Sequence, residues 1–233
     1  MSGINWEAED AKYIWHPAMQ MKDNEVFPPV VIDHAKGCYL YDTHGKAYLD
    51  IISSWWCNLL GHANPEINAA LKQQVDELEH VIFTNFTHKP AIELARELSE
   101  LLPAGLTKFT FHDNGSSAVE AALKMAFQYQ YQTGHPERTR FMCLPESYHG
   151  ETIGALSVGS MDLYAKIFHP MLMNNIHFKG LDCYRCPYGK TRETCGVECF
   201  EDAEAAFKKY GKETVACIVE PILQGAAGMR IYP

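Results

Sequence analysis

The sequence predicts an α/β fold built on a mainly parallel sheet, preceded by a small antiparallel meander. Three observations predict it. From about residue 108 onward, short apolar strand-like runs alternate with segments of helical periodicity, the pattern of a layered parallel sheet. Val215-Ala216-Cys217-Ile218-Val219 is apolar at every position, as a parallel strand covered on both faces is. Between Pro29 and Asp50 the apolar residues instead fall into short runs separated by turn residues.

In chain order, Val30-Val31-Ile32, Cys38-Tyr39-Leu40-Tyr41 and Ala47-Tyr48-Leu49 read as the three strands of the meander, with breaks at Ala35-Lys36-Gly37 and Asp42-Thr43-His44-Gly45. Asn64-Pro65 is an N-cap followed by proline at the first helical position, and Ile67, Ala70, Leu71, Val75 and Leu78 then recur at helical spacing. A second helix starts near Pro90, with Ile92, Ala95, Leu98 and Leu102 on one face. Lys108 to Phe111 reads as a strand, Ser117 to Gln132 as a helix and Arg140 to Leu144 as a strand. Glu201 to Tyr210 reads as a helix closed by Gly211, and Thr214 to Val219 as the buried strand. After that strand come only a Gly-rich loop and Met229 to Pro233, so one of its faces is expected to lack a covering helix, as if the sequence stopped inside a domain.

The chain has 233 residues, about one and a half domains at roughly 150 residues each, enough to bury about 70% of its unfolded surface without a staple. Its 47% hydrophobic and 21% charged residues are those of an ordinary globular protein. A net charge of −9, from 29 acidic and 20 basic residues with no basic run, argues against a nucleic-acid groove or an anionic membrane surface as partner. No apolar stretch approaches the ~18 residues of a membrane span, and acids between Met1 and Asp10 replace the basic segment of a signal peptide, so a cytoplasmic protein is expected. The eight cysteines then read as reduced thiols.

Five segments carry candidate chemistry. His112-Asp113-Asn114-Gly115-Ser116-Ser117 leads from a strand into a helix, where Gly115 admits a phosphate to free N–H groups at the positive end of the helix dipole. The alternative is that Ser116 or Ser117 simply caps the helix. Tyr148 and His149 follow the Arg140–Leu144 strand, and Glu220-Pro221 ends the next one; in a parallel sheet both sit at the carboxyl edge, where ligands bind. Trp55 and Trp56 form an aromatic pair suited either to line an apolar slot or to pack. Cys183-x-x-Cys186 and Cys195-x-x-x-Cys199 have the spacing of a zinc knuckle, but an α/β domain of this size needs no metal to fold, so no metal is expected and the segment reads as a surface excursion whose thiols stay reduced or pair only on oxidation.

Together these segments resemble the amino-terminal half of a class III, fold type I aminotransferase dependent on pyridoxal 5'-phosphate, and within it the diaminopelargonate aminotransferases of biotin synthesis. The resemblance rests on Tyr13-Ile14-Trp15-His16-Pro17, Ser53-Ser54-Trp55-Trp56, Gly115-Ser116-Ser117-Ala118-Val119-Glu120-Ala121-Ala122, Tyr148-His149-Gly150-Glu151-Thr152 and the run Glu220 to Met229. It implies a fold type I large domain, here truncated at residues 61–233, with residues 1–60 forming the first strip of a small domain. It implies that Gly115 and Ser116 bind the cofactor phosphate, that Tyr148 covers the pyridine ring and touches substrate, and that Trp55 lines the substrate channel. Glu220 would sit near the cofactor's edge. It also implies a keto acid substrate, 8-amino-7-oxononanoate, an amine donor, commonly S-adenosylmethionine, and a homodimer.

Three features depart from the family pattern. Ala18 stands where an aromatic substrate contact is usual, and the segment Cys183 to Cys199 is an addition. The aspartate that pairs with the pyridine nitrogen, the Schiff-base lysine and the carboxylate-binding arginine would all lie beyond Pro233, so these 233 residues alone are expected to be inactive. The alternatives are another class III transaminase for ω-amino acids or diamines, and a non-catalytic remnant with a structural zinc knuckle.

Overall fold

The computed structural model describes residues 3–178 and 181–232; the chain ends Met1 and Pro233 invoked above lie outside them. The backbone forms two compact units, residues 1–106 and 107–233.

The first unit opens with α1 (Trp6–Tyr13), a helix that sequence periodicity does not announce, capped by the Asn5 side chain, which accepts the Ala8 N–H. The meander follows as β1 (Ile32–Lys36), β2 (Tyr39–Asp42) and β3 (Ala47–Leu49), paired antiparallel in sequence order. β1 runs through Ala35-Lys36, and the turn falls at Gly37, which has φ +57°. Asp42 is the one buried residue of this unit among those described; it accepts the N–H groups of His44 and Lys46 and the Tyr48 hydroxyl, closing the β2–β3 turn. Next comes α2 (Ser53–Trp56), a single turn of left-handed sense, with φ of 48°, 47°, 60° and 66° at its four residues. α3 (Pro65–Glu77) begins as the sequence predicts: Asn64 Oδ1 accepts the N–H groups of Glu66 and Ile67. α4 (Lys89–Leu101) starts at His88, whose Nδ1 accepts the Ala91 N–H. The apolar stripes of both helices stay open: Leu71, Val75 and Ile92 are each more than half exposed.

The second unit holds the core. α5 (Gly115–Gln132) starts two residues before the predicted Ser117, because Asn114 takes the capping position and accepts the Ser117 N–H. Neither Ser116 nor Ser117 is the cap. β4 (Arg140–Cys143), β5 (Ile176–His177) and β6 (Thr214–Ile218) form a parallel sheet in the order β5-β4-β6. Between β4 and β5 lie α6 (Ile153–Val158), α7 (Asp162–Ala165) and a 3₁₀ segment, Lys166–Met171. α8 (Cys199–Tyr210) precedes β6 and ends at Gly211 as predicted, and a short hairpin, β7 (Leu223–Gln224) with β8 (Arg230–Ile231), occupies the Gly-rich end. Leu123 of α5 packs with Phe141, Cys143, Val158 and Val215, and Val119 and Ala126 of the same helix join them.

Two expectations change. Among the described residues Lys108–Phe111 is not in a strand; an apolar run becomes one only through a ladder with a neighbour distant in sequence, which hydropathy does not report. Among the described residues Thr214–Ile218 pairs on one side only and is not covered on both faces; β4 takes the centre, with Phe141, Met142 and Cys143 all buried while Cys217 of β6 is exposed. A strand with one open face still reads as an apolar run, so hydropathy alone does not separate the two cases. Among the described residues no helix is long and apolar enough to cross a membrane.

Candidate active site

The carboxyl ends of β4 and β6 and the amino end of α5 converge on one constellation. Gly115 opens α5, and the first-turn N–H groups of Gly115 and Ser116 have no partner given by the described residues, because the Asn114 cap serves Ser117 and Ala118. A Cβ built on Gly115 would meet nothing within 4 Å. The Ser117 hydroxyl turns instead to Asp113, and this bond, more than any other, holds the Asp113 carboxyl below its ordinary value. Of the two serines, Ser116 therefore keeps its hydroxyl at the helix start, where its Oγ accepts the Glu151 N–H at 3.4 Å.

The loop after β4 is tied down at several points. The Tyr148 N–H donates to Glu220 Oε1 at 2.9 Å, and Glu220 Oε2 accepts the Gly225 N–H at 3.0 Å. The Tyr148 ring meets Tyr164 edge-on, with centroids 5.6 Å apart, and its hydroxyl donates to Glu151 at 3.2 Å. Burial first, and then the Glu151 charge, pushes the Tyr148 hydroxyl up, so it stays a neutral donor. Burial likewise lowers the basicity of His149, whose buried Nε2 has no hydrogen-bond partner among the described residues. Gly150 has φ +125°, and a Cβ there would collide with Ser116 Oγ, so glycine is required both by conformation and by the closeness of the α5 start. One turn further on, Glu120 of α5 accepts the N–H groups of Gly154 and Ala155, capping α6 across space.

In the first unit, Trp55 is 68% exposed on the left-handed turn. Such a conformation costs about 1–2 kcal/mol per residue and needs support. Asp50 supplies it, accepting the Ser54 N–H at 3.0 Å and hydroxyl at 2.8 Å, with His62 Nε2 at 2.8 Å on the same carboxylate. These contacts, the Ser54 N–H foremost, bring the Asp50 carboxyl down to about 2. Ala18 is exposed with φ 56°.

Sequence reasoning placed Gly115, Ser116, Tyr148 and Glu220 on strand ends and a helix start, and the second unit brings all four together. It missed Glu120, Glu151 and Gly150 as supports, although all three fall inside the motifs quoted above. The four thiols Cys183, Cys186, Cys195 and Cys199 all line one cavity of about 360 Å³. Burial first, and then the Cys195 thiol, pushes the Cys183 thiol up, and the same two causes raise Cys199. Among the described residues no three His, Cys, Asp or Glu side chains stand close enough together to hold a metal ion as they are placed.

An open helix start, an aromatic ring at the neighbouring strand end and a carboxylate joining the two strand ends form one constellation, and comparison with known proteins gives it a lineage. Adenosylmethionine-8-amino-7-oxononanoate aminotransferase of Geobacter sulfurreducens is 44% identical over 225 residues, 96% of this chain and 50% of that protein. The enzyme of the same name from Methanocaldococcus jannaschii is 39% identical over 97% of this chain and 51% of its own length. Its crystal structure superposes with a TM-score of 0.88 at 38% identity, covering 98% of this chain and 49% of that one. An (S)-enantioselective omega-transaminase from Thermomicrobium roseum superposes with a TM-score of 0.89 at 31% identity, covering 98% of this chain and 51% of that one. The chain thus spans about half the length of the curated relatives it matches. The family model for class III aminotransferases matches residues 19–233, nearly the whole sequence including every motif at the α5, β4 and β6 ends, and the chain belongs to that family.

Proposed function

We propose that the whole enzyme is a pyridoxal 5'-phosphate-dependent transaminase that moves an amino group from S-adenosylmethionine to 8-amino-7-oxononanoate, giving 7,8-diaminononanoate for biotin synthesis. The observation that carries this reading is the α5 start, where the N–H groups of Gly115 and Ser116 have no partner among the described residues, open space lies around Gly115, and the Ser116 hydroxyl touches the Tyr148 loop through the Glu151 N–H. The residues fit the cofactor. The relatives' shared name supplies the substrate pair, and an omega-transaminase of Pseudomonas jessenii with a TM-score of 0.90 was solved with PMP.

Pyridoxal phosphate, when bound, supplies the electron sink that lets an amine be exchanged for a carbonyl. The chain's own residues do the rest. Gly115 and Ser116 N–H groups hold a phosphate dianion at the positive end of an 18-residue helix. Tyr148 presents a ring face, kept in orientation by Tyr164 and Glu151. Glu220 fixes the Tyr148 backbone to the end of β6, and Trp55 offers an indole face to a largely aliphatic keto acid. Residues 1–60 as part of a small domain, residues 61–233 as the pyridoxal-phosphate domain, and a homodimer in the cytoplasm complete the proposal.

In the full-length enzyme, S-adenosylmethionine should convert the cofactor to its amino form, and 8-amino-7-oxononanoate should reverse the conversion. Failure of the keto acid to accept an amino group from any donor sinks the reading. A second reading, a class III transaminase for ω-amino acids or diamines, is favoured by Ala18, which leaves the acceptor contact without its aromatic. Preference for lysine or simple diamines over S-adenosylmethionine in the same assay would select it.

A further inference from the structure

The coil between β5 and α8 (178–198) contains no helix or strand among its described residues. Coils of this length inside a compact unit are uncommon without a function or a staple. It carries Cys183, Cys186 and Cys195 and ends at Cys199, the first residue of α8, and all four side chains are partly buried, free of disulfides and on the wall of one cavity. The remaining four cysteines lie elsewhere: Cys38 and Cys57 in the first unit, Cys143 and Cys217 on the sheet.

We propose that Cys183, Cys186, Cys195 and Cys199 bind one zinc ion as a four-thiolate structural site. Several features of the coil suit thiolates. Val197 donates its N–H to Cys195 Sγ at 3.3 Å, a bond that strengthens when the sulfur is charged. Cys199 is the first residue of the 12-residue α8, so one of the four sulfurs is anchored on a regular element. Lys190 and Arg192 line the same cavity; Lys190 is paired with Glu198 at 3.1 Å and Asp182 also stands on the wall, so Arg192 offsets only part of the double negative charge of a zinc ion with four thiolates. A four-sulfur set with Cys-x₂-Cys and Cys-x₃-Cys spacing selects zinc over the hard cations.

The sulfurs ring the cavity without three of them converging, so binding turns them inward. Turn hydrogen bonds such as Gly189 N–H to Cys186 O, together with the Lys190–Glu198 ion pair at 3.1 Å, the Gly196 N–H to Glu198 and the Tyr188 hydroxyl to Asp202, resist that movement and set its cost. Coupling of metal binding to local ordering is usual for such sites. The four thiols release four protons to solvent as the Zn–S bonds form, and no electron is transferred. Zinc would also steady the β7–β8 hairpin: Cys183 donates its N–H to Ile231 O, and Arg230 lies 3.8 Å from both Asp182 and Glu146.

The protein, purified with a reductant and without chelator, is analysed for metals and, separately, loaded with cobalt. Expected are about one zinc per chain and a cobalt spectrum with thiolate charge-transfer bands. Cys186→Ser and Cys195→Ser should each lower zinc content at least about fivefold, while Cys38→Ser leaves it unchanged. Because a serine variant can fail to fold, the unsubstituted protein decides. Zinc below about 0.2 per chain with all thiols titratable, iron in its place, or disulfides within the segment would each overturn the proposal.

Discussion

Glu220 joins the ends of two strands through Tyr148: one carboxylate oxygen accepts the Tyr148 N–H at 2.9 Å and the other accepts the Gly225 N–H at 3.0 Å. The two residues are 72 positions apart, and the bond makes the Tyr148 loop an extension of β6. A hydrogen bond to a charged group contributes about 1.5–3 kcal/mol. Glu220→Ala in the full-length enzyme should therefore weaken pyridoxal phosphate binding by about 10–100-fold, read by fluorescence titration. Glu220→Gln, whose amide has one accepting oxygen and one donating nitrogen, should fall between; a Glu220→Ala enzyme with unchanged affinity refutes the role.

Gly150→Ala forces a side chain into φ +125° and onto Ser116 Oγ. Loss of about 1–3 kcal/mol of stability is expected in urea unfolding, together with weaker phosphate binding. Adding Ser116→Gly should relieve the collision but leave the backbone strain, so the double variant recovers part of the stability and none of the phosphate affinity. Full recovery would show that conformation contributes nothing.

Asp50 titrates at about 2 instead of 3.8 because Ser54 and His62 bind its ionised form. A depressed carboxyl pKa in the fold means that the stabilisation is complete above pH 3.8 and is lost as pH falls from there through about 2. Unfolding measured across this window should be less steeply pH-dependent in Asp50→Asn than in the unsubstituted protein. Trp55 fluorescence should shift over the same range as the left-handed turn relaxes; identical profiles for the two proteins would contradict the assignment.

Leu123 is 8% exposed and packs against Phe141, Cys143, Val158 and Val215. Leu123→Ala should cost about 2–5 kcal/mol by chemical denaturation. Leu71→Ala in α3, at a residue 59% exposed, should cost well under half of that, and equal costs would mean that the α3 stripe is covered in solution.

Much of this protein is decided by local sequence. Asn64-Pro65 starts α3 because a side-chain oxygen three residues ahead of free N–H groups needs no tertiary partner, and the α5 stripe of Val119, Leu123 and Ala126 follows from helical period alone. The chemistry of Gly115-Ser116 and of an aromatic at the end of β4 is legible for the same reason: strand, turn and helix start are neighbours in the chain. Tertiary structure decided what depends on distant partners. It made Asn114 and not a serine the cap, set β4 between β5 and β6, and held Ser53–Trp56 in a left-handed turn that its own residues disfavour. It also brought Glu220 to Tyr148, Glu120 to Gly154 and four cysteines to one cavity. Periodicity and capping are set within a turn or two of chain, whereas a carboxylate finds its N–H, and a strand its neighbour, only when the chain has folded back on itself.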